Sequence, residues 1–285
     1  MKKSAPKKTL GISLLLMGLI IAGVVFFTST DLGQRLAIMG IDMIGYTQNL
    51  ADPYYRYIRI PEGWRKEQIA DAYSQVLAWN DTQKQAFLSA YQTDKAPSAD
   101  GYYFPTTYLV PADASGKDVS KIMINQFNQK VGPVISSTST VGSAANKNLR
   151  KKVNLDTAIK IASIIQREAA GKSDMRLISG IIWNRLFKGM ALDIDATLQY
   201  AAGNEQDGWW PPVSADDKSI DSPYNTYKNK GLPPTPIANP GLAAIEAAFN
   251  PLTTDCLFYL HDNNRNIHCS ADYKGQQQNV VTYLK

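Results

Sequence analysis

Apolar side chains recur at helical spacing in two neighbouring segments of the second half of the chain. The first, NLDTAIKIASIIQREAAG, predicts an amphipathic helix that Asn154 or Asp156 would cap and Gly171 would end. The second, SDMRLISGIIWNRLFKG, repeats the pattern, with Ser173 as the cap and Gly189 as the stop. The short connection between them predicts a helical hairpin. The apolar stripe of the first helix is Ala158, Ile161, Ala162, Ile165 and Ala169.

The segment that precedes these helices predicts a smaller α+β module over residues 53–135. YYRYIRIPEGWRKEQIADAYSQVLAW indicates a short strand, a turn and an amphipathic helix, and a second helix is predicted over residues 116–130. Residues 136–150 are rich in Ser, Thr, Gly and Ala, which is typical of a linker. A larger domain would then occupy residues 151–285.

The downstream half of that domain is predicted to be rich in loops. Residues 208–241 carry seven prolines before a helix predicted near Leu242 to Phe249. CLFYLHDNNRNIHC then predicts two strands around a polar turn. Cys256 and Cys269 flank these strands, and the pattern allows either a disulfide or two unlinked thiols. A metal site that adds His261 and His268 to the cysteines is not favoured, because the spacing matches no zinc pattern.

The N-terminal segment has the pattern of a membrane anchor. LGISLLLMGLIIAGVVFF is uncharged and long enough to span a bilayer as a helix, so residues 10–29 are predicted to be a transmembrane segment. Lysines precede it, so residues 1–9 form a basic tail predicted to be cytoplasmic. The run ends in Thr-Ser-Thr without an A-x-A-like site, which favours an uncleaved anchor over a signal peptide. The remainder would lie outside the cytoplasm, in a compartment that permits disulfides.

The net charge of +5 adds little beyond this anchor. Four of the positive charges are Lys2, Lys3, Lys7 and Lys8 in the basic tail, which leaves +1 for everything else. A nucleic-acid-binding protein would carry a basic patch on its folded part. We therefore expect no nucleic-acid partner.

Glu168 is the residue with the clearest chemical potential. It lies seven residues after Ile161 and three after Ile165, so it shares the apolar face of the first predicted helix. Burial, together with the carboxyl end of the helix dipole, should raise its pKa. A protonated carboxyl in a partly apolar cleft suits a general acid for glycosidic bond cleavage. The alternative is a structural carboxylate that reaches water or pairs with Arg185, whereas Arg167 projects about 100° away around the helix.

Several motifs in the same order resemble the endolytic murein transglycosylases of the YceG-like family. They are IASIIQREAAG, WNRLFKGMALDIDATLQYA and SPYNTYKNKGLPPTPIANPGLAAIEAA, and the front half contributes IPEGWRKEQIA and DGYYFPTTYLV. The resemblance covers the chain from about Tyr54. It implies an α+β fold class with an N-terminal transmembrane helix, a small LysM-like α+β module at residues 53–135 and a mixed α+β catalytic domain at residues 151–285.

The resemblance also implies a reaction and a catalytic residue. Glu168 would protonate the leaving oxygen of the β-1,4 bond between N-acetylmuramic acid and N-acetylglucosamine. It would then act as a base on the muramoyl 6-hydroxyl, which closes a 1,6-anhydro ring. This chemistry needs neither water nor a second carboxylate, and no cofactor or metal is expected. The implied partners are peptidoglycan glycan strands, the plasma membrane through the anchor, and the cell-wall synthesis machinery.

Eight further residues are hypothesised to bind substrate: Asn184, Arg185, Asp195, Thr197, Gln199, Tyr224, Asn225 and Tyr227. Structural roles remain open for them, since Arg185 could only brace Asp195, and Tyr224 and Tyr227 could only fill the core. Trp209 and Trp210 lie in a stretch whose role the pattern does not determine. The tail departs from the family pattern, because His268 matches its first histidine but Gln276 or Gln277 stands where a second is usual.

Two other functions are compatible with the same residues. One is a non-catalytic, membrane-anchored protein that binds peptidoglycan and recruits other factors. The other is a water-using muramidase in which Asp193 or Asp195 assists Glu168. The reaction products separate these readings, because a transglycosylase leaves anhydro ends and a hydrolase leaves reducing ends.

Overall fold

The computed structural model describes residues 53–91, 98–138 and 154–284. The chain divides into two compact units, Met1–Tyr57 and Ile58–Lys285, and the site described below belongs entirely to the second. The predicted basic tail and transmembrane segment lie outside the described residues, as does most of the predicted linker. Within the described ranges, no helix combines the length and apolar character needed to cross a bilayer.

The described part of the chain is a mixed α+β structure. Its strands are β1 (Tyr55–Arg59), β2 (Thr107–Pro111), β3 (Phe258–His261) and β4 (Ile267–Ser270). Its helices are α1 (Lys66–Leu77), α2 (Asp81–Leu88), α3 (Gly116–Thr138), α4 (Leu155–Glu168), α5 (Lys172–Phe187), α6 (Asp195–Ala202), α7 (Leu242–Phe249) and α8 (Tyr273–Tyr283). A short 3₁₀ turn covers Asp216–Ser219. The strands form two separate two-stranded sheets, β1 with β2 and β3 with β4.

The front region, residues 53–135, packs its helices around aromatic rings. The rings of Tyr73 in α1, Trp79 between α1 and α2, and Phe87 in α2 have centroids within 6.2 Å of one another. Tyr103 stacks on Phe87 at 4.8 Å. Helix α3 runs to Thr138, beyond its predicted end at Lys130 and into the predicted linker. It continues past Pro133 because the chain still has apolar side chains to bury there, as Val134 and Ile135 show.

Helices α4 and α5 form the predicted hairpin, and their ends differ slightly from the prediction. Asn154 caps α4 by accepting the amide of Thr157 at 2.8 Å, so Asp156 is not the cap. The helix ends at Glu168 instead of Gly171, because Ala169 is already extended. The prediction of Ser173 as the cap of α5 was wrong, since Gly171 holds that position and the Ser173 hydroxyl donates to the Asp174 carboxylate instead.

A single core joins the front region to the hairpin. The buried cluster runs from Ile58 in β1 to Ala248 in α7. Asn239 lies at the junction, where its side-chain oxygen accepts the amides of Gly101 and Tyr103, each at 2.9 Å, and its Nδ2 donates to the Trp64 carbonyl at 2.9 Å. Segments predicted as an accessory module and a catalytic domain therefore share one core.

The C-terminal strands form the predicted hairpin. Strands β3 and β4 are antiparallel, with Phe258 opposite Ser270 and His261 opposite Ile267. Helix α8 packs against both strands. Cys256, just before β3, forms a disulfide with Cys269 in β4, with their Cα atoms 5.8 Å apart. The covalent link fixes the entrance to β3 against its partner strand.

Candidate active site

Glu168 lies at the end of α4 and faces a cavity of about 360 Å³. The turns of α4 that precede it are buried through Ile161, Ile164 and Ile165, so the core fixes the helix that carries the carboxyl. The cavity is lined by Glu168, Arg185, Leu192, Asp193, Asp195, Tyr227, Phe258, Tyr259, Leu260, His261 and Gln276. The carboxyl at the end of a buried helix is thus presented to an open, polar space.

The surroundings of Glu168 favour its protonated form. Burial raises the pKa of Glu168, and the nearby Asp195 carboxylate raises it further. The Tyr259 hydroxyl donates to Glu168 Oε2 at 2.7 Å, and this bond and one from the Ala196 amide lower the pKa in part. The net shift is upward, which confirms the prediction of a raised pKa. The dominant cause is burial.

Arg185 organises the cavity wall and does not pair with Glu168. Its Nη1 donates to the carbonyls of Ala191 and Leu192 and to the Asp193 carboxylate, at 2.8–3.0 Å, and its Nε donates to the Leu257 carbonyl at 2.6 Å. The alternatives in which Arg185 neutralises Glu168 or braces Asp195 are therefore wrong. Asp195 instead accepts the Tyr227 hydroxyl at 2.6 Å.

Three of the predicted substrate-binding residues line the cavity with Glu168, namely Arg185, Asp195 and Tyr227. Asn184, Gln199 and Tyr224 are engaged with other parts of the fold. The Asn184 amide donates to the carbonyls of Thr254 and Cys256, Gln199 donates to Pro211, and the Tyr224 hydroxyl bonds Thr235. These contacts support the chain that leads into β3 and the loop after α6. A role in sugar contact stays a prediction for these three.

Thr197 and Asn225 lie beneath the loop of residues 218–228 and expose no surface. The Asn225 amide donates to the carbonyls of Lys218 and Ile220, and its oxygen accepts the amides of Tyr227 and Lys228. The Thr197 hydroxyl donates to the Ile194 carbonyl and bonds the Thr226 hydroxyl. In this arrangement both side chains shape the loop that presents Tyr227, and neither reaches the cavity surface.

Sequence reasoning missed the contribution of β3 and α8 to the cavity. Tyr259 and His261 are two residues apart on a strand, so they face the same side. The His261 Nε2 lies 3.1 Å from the Asp174 carboxylate. Gln276 of α8 lines the cavity and donates to the Tyr259 carbonyl at 3.0 Å, whereas Gln277 is exposed. In the strand sequence FYLH, Tyr259 and His261 alternate with apolar residues, and this pattern could have predicted that both face the cavity.

The two neighbouring tryptophans lie under arginine side chains and do not line the cavity. The Trp210 ring is stacked under the Arg167 guanidinium, 3.8 Å from its centroid, and its Nε1 donates to Gln68 of α1 at 2.9 Å. Trp209 lies under the Arg65 guanidinium at 5.0 Å. Both side chains therefore connect the front region to the region around the acid.

The candidate metal ligands considered from the sequence have other partners. Cys256 and Cys269 are joined to each other, and His268 lies 3.0 Å from the Asp262 carboxylate. In the part of the chain that the structure describes, no three His, Cys, Asp or Glu side chains are grouped as a ligand set. The chemistry of the cavity is thus that of a carboxyl group with hydroxyl, imidazole and carboxylate neighbours.

Comparisons with known proteins match the same region. The family model described as "YceG-like family" matches residues 39–282. The chain is 38% identical over 269 residues to the endolytic murein transglycosylase of Bacillus subtilis (strain 168), which covers 86% of this chain and 71% of that protein. It is 27% identical over 267 residues to the endolytic murein transglycosylase of Streptococcus pneumoniae serotype 2, covering 84% of this chain and 47% of that protein.

A solved structure is also similar. The crystal structure of a YceG-like protein from Listeria monocytogenes superposes with a TM-score of 0.63 at 27% sequence identity. The match covers 78% of this chain and 75% of that chain. The residues that line the Glu168 cavity all lie within the range that the family model matches.

Proposed function

The chain belongs to the YceG-like family, and from this premise we propose that it is an endolytic lytic transglycosylase of peptidoglycan. It cleaves the β-1,4 bond between N-acetylmuramic acid and N-acetylglucosamine within glycan strands and leaves 1,6-anhydro ends. The observation that carries this proposal is the placement of Glu168. A carboxyl with a raised pKa faces a cavity lined by polar side chains.

Glu168 acts first as a general acid. Its proton passes to the glycosidic oxygen as the bond from that oxygen to the muramoyl C1 breaks, so the N-acetylglucosamine leaves with a hydroxyl group. Burial and the Asp195 carboxylate keep the Glu168 pKa raised, which increases the fraction of protonated acid at neutral pH.

The Glu168 carboxylate formed in this step acts next as a base. It takes the proton of the muramoyl 6-hydroxyl while O6 bonds to C1, which closes the anhydro ring and regenerates the acid. The Tyr259 hydroxyl and the Ala196 amide stabilise the carboxylate between the two steps. No water is consumed, so one glutamate is sufficient.

The proximity of Asp195 favours a second candidate reaction. Asp195 lines the same cavity and acts electrostatically on Glu168, while Asp193 is paired with Arg185. In a hydrolase, Asp195 would activate water and the products would carry reducing ends. Asp195 is already hydrogen-bonded to Tyr227, which favours a role in positioning and makes the hydrolase the second candidate.

The cellular setting of the proposal rests on the sequence. Residues 10–29 anchor the protein in the plasma membrane by a single span, with the tail in the cytoplasm and the catalytic region outside it. The front region at residues 53–135 acts as a LysM-like accessory module, and the cell-wall synthesis machinery is the proposed partner. The disulfide between Cys256 and Cys269 suits a compartment outside the cytoplasm.

Mass spectrometry of the products tests the reaction directly. The protein is incubated with purified peptidoglycan strands, beside a Glu168→Gln variant that removes the acid proton and retains the shape. Glu246→Gln is the matched control, because Glu246 is exposed on α7 away from the cavity. We expect internal fragments with 1,6-anhydromuramic acid from the wild type and the control only. Reducing ends would establish the hydrolase, and binding without cleavage by all three proteins would reduce the function to glycan binding.

A further inference from the structure

Arg167 precedes the catalytic glutamate and points in another direction. Adjacent residues on a helix project about 100° apart, so Glu168 faces the cavity while Arg167 leaves the last turn of α4 on another side. Its guanidinium stacks on Trp210 with 3.8 Å between the guanidinium carbon and the ring centroid. A side chain added at Gly63 would lie 3.6 Å from Arg167 Nη1, so the turn before α1 also borders this cation.

The Arg167 guanidinium has unused hydrogen-bond donors. Its Nε is buried without a partner among the described residues, and none of the ion pairs found between those residues includes it. Two arginines that are more deeply buried have partners. Arg65 binds the Glu67 carboxylate and the carbonyls of Tyr200 and Trp209, and Arg185 binds Asp193 and three carbonyls.

A partly buried cation without a hydrogen-bonded anion is unfavourable, which makes Arg167 a candidate for a ligand. Burial lowers the pKa of Arg167 because its charge loses hydration, and the neighbouring Glu168 carboxylate offsets this only in part. One face of the guanidinium lies on Trp210 and its Nε is buried, so the edge with the two terminal nitrogens, Nη1 and Nη2, is the part left for recognition. That edge is a planar fork that matches a carboxylate in two parallel hydrogen bonds.

The substrate of the proposed reaction carries its carboxylates on peptides. In a strand with peptides attached, the lactyl carboxyl of each muramic acid is tied up in an amide, so the sugars themselves are uncharged. Arg167 and Glu168 have Cα atoms about 3.8 Å apart, and an extended peptide spans about 3.3 Å per residue. A peptide of several residues attached beside the cleaved bond is therefore long enough to extend from Glu168 to the region of Arg167.

We propose that Arg167, stacked on Trp210, forms a carboxylate-binding subsite next to the cavity, and that this subsite takes an acidic group of the peptides attached to the glycan strand. This inference rests on the proposed function for its choice of substrate. It makes the enzyme sensitive to the charge of the peptides as well as to the sugars. Amidation of the peptide removes the carboxylate that binds Arg167, whereas the contacts of the sugars with the cavity stay unchanged.

Equilibrium binding to two forms of the same strands tests the subsite. The protein carries Glu168→Gln throughout so that nothing is cleaved, and the strands are used either native or with their carboxyl groups converted to amides. Adding Arg167→Gln should weaken binding of native strands about tenfold, as expected for the loss of a charge-assisted hydrogen bond. Binding of amidated strands should be the same with and without this change. Arg167→Lys keeps the charge without the fork, and should give an intermediate loss on native strands only.

Arg59→Gln provides the matched control, because Arg59 is exposed on β1. It should bind both forms of the strands like the parent protein. An equal loss on native and amidated strands with Arg167→Gln would overturn the subsite and leave Arg167 a structural role, and no loss on either would also overturn it. Failure of the proposed function is visible separately, as absence of cleavage of native strands by the protein with Glu168 intact.

Discussion

Asp100 and Glu168 are two buried carboxyl groups with opposite surroundings. Asp100 exposes no surface and accepts the Lys66 amide at 2.7 Å, the Tyr200 hydroxyl at 2.9 Å and the Ser98 hydroxyl at 3.2 Å. Glu168 accepts one hydroxyl and one amide and faces a cavity of about 360 Å³. One carboxyl is enclosed by its partners, and the other has room for a ligand.

The difference shows that a perturbed pKa does not identify a catalytic group. Burial raises the pKa of Asp100 to about 6, and burial also raises the pKa of Glu168. The two groups are separated by geometry, because only Glu168 has open space beside its oxygens. Structural carboxyls can be as perturbed as catalytic ones, and the presence of a cavity decides between them.

Removal of the acid from Glu168 should give the largest effect of all. We expect Glu168→Gln to lower the cleavage rate about 10³-fold, the scale of general acid catalysis, and to leave the urea unfolding midpoint nearly unchanged. The amide keeps the shape and can still accept the Tyr259 hydroxyl. Initial rates of fragment release measure the cleavage rate, and urea titration measures the unfolding midpoint. A variant that retained a tenth of the wild-type rate would remove Glu168 from the acid role.

Truncation of Asp100 should show the reverse pattern. Asp100→Ala leaves the Lys66 amide and the Tyr200 hydroxyl without their acceptor, so we expect a loss of about 3 kcal/mol in the free energy of unfolding. Urea titration measures it, with Asp216→Ala as the control on an exposed aspartate. A loss no larger than that of the control would show that Asp100 is not a structural carboxyl.

The raised pKa of Asp100 predicts that the stability of the protein depends on pH. The folded pKa of about 6 lies above the usual 3.8, so the folded protein binds the proton more tightly than the unfolded chain. The stability from this group is complete below pH 3.8 and is lost as the pH rises through 6, by about 3 kcal/mol in total. Asp100→Asn cannot titrate, so the free energy of unfolding of this variant minus that of the wild type should rise by most of that amount between pH 4 and pH 7. A constant difference across this range would contradict the assignment.

Removal of the Tyr259 hydroxyl should give the smallest effect. Its hydrogen bond lowers the pKa of Glu168, so Tyr259→Phe should raise that pKa and move the alkaline limb of the pH–rate profile upward. We expect kcat/KM to fall about tenfold, because the carboxylate formed between the two steps loses a donor. An unchanged pH profile with a reduced rate would mean that Tyr259 acts on the sugar and not on Glu168.

The sequence was most informative where structure is local. The apolar stripe that includes Ile161 and Ile165 predicted α4 and the α4–α5 hairpin, and the position of Glu168 in that stripe predicted its burial. The strands on either side of the polar turn were also predicted, because β-alternation and turn residues act over few positions. Helix α6 and the extension of α3 were missed, since buried contacts decide them.

The rest of the site depends on contacts that no local pattern contains. Tyr259 reaches Glu168 across 91 positions in the chain, and His261 reaches Asp174 across 87. The prediction that Asn225 contacts a sugar followed from the family resemblance and from the ability of an amide to bind hydroxyls, but its amide is used on the loop's own carbonyls. A polar loop residue supports the loop or binds a ligand, and only the three-dimensional structure distinguishes these uses.

The junction at Asn239 has a consequence for the order of folding. Its hydrogen bonds to Gly101, Tyr103 and Trp64 join residues that are 138, 136 and 175 positions apart. During synthesis the front region leaves the ribosome long before Asn239, so it waits without the partner that completes its core. Closing such long loops costs chain entropy before any contact compensates it. The contacts of Asn239 therefore form late, and a chain interrupted before it retains an unfinished front half.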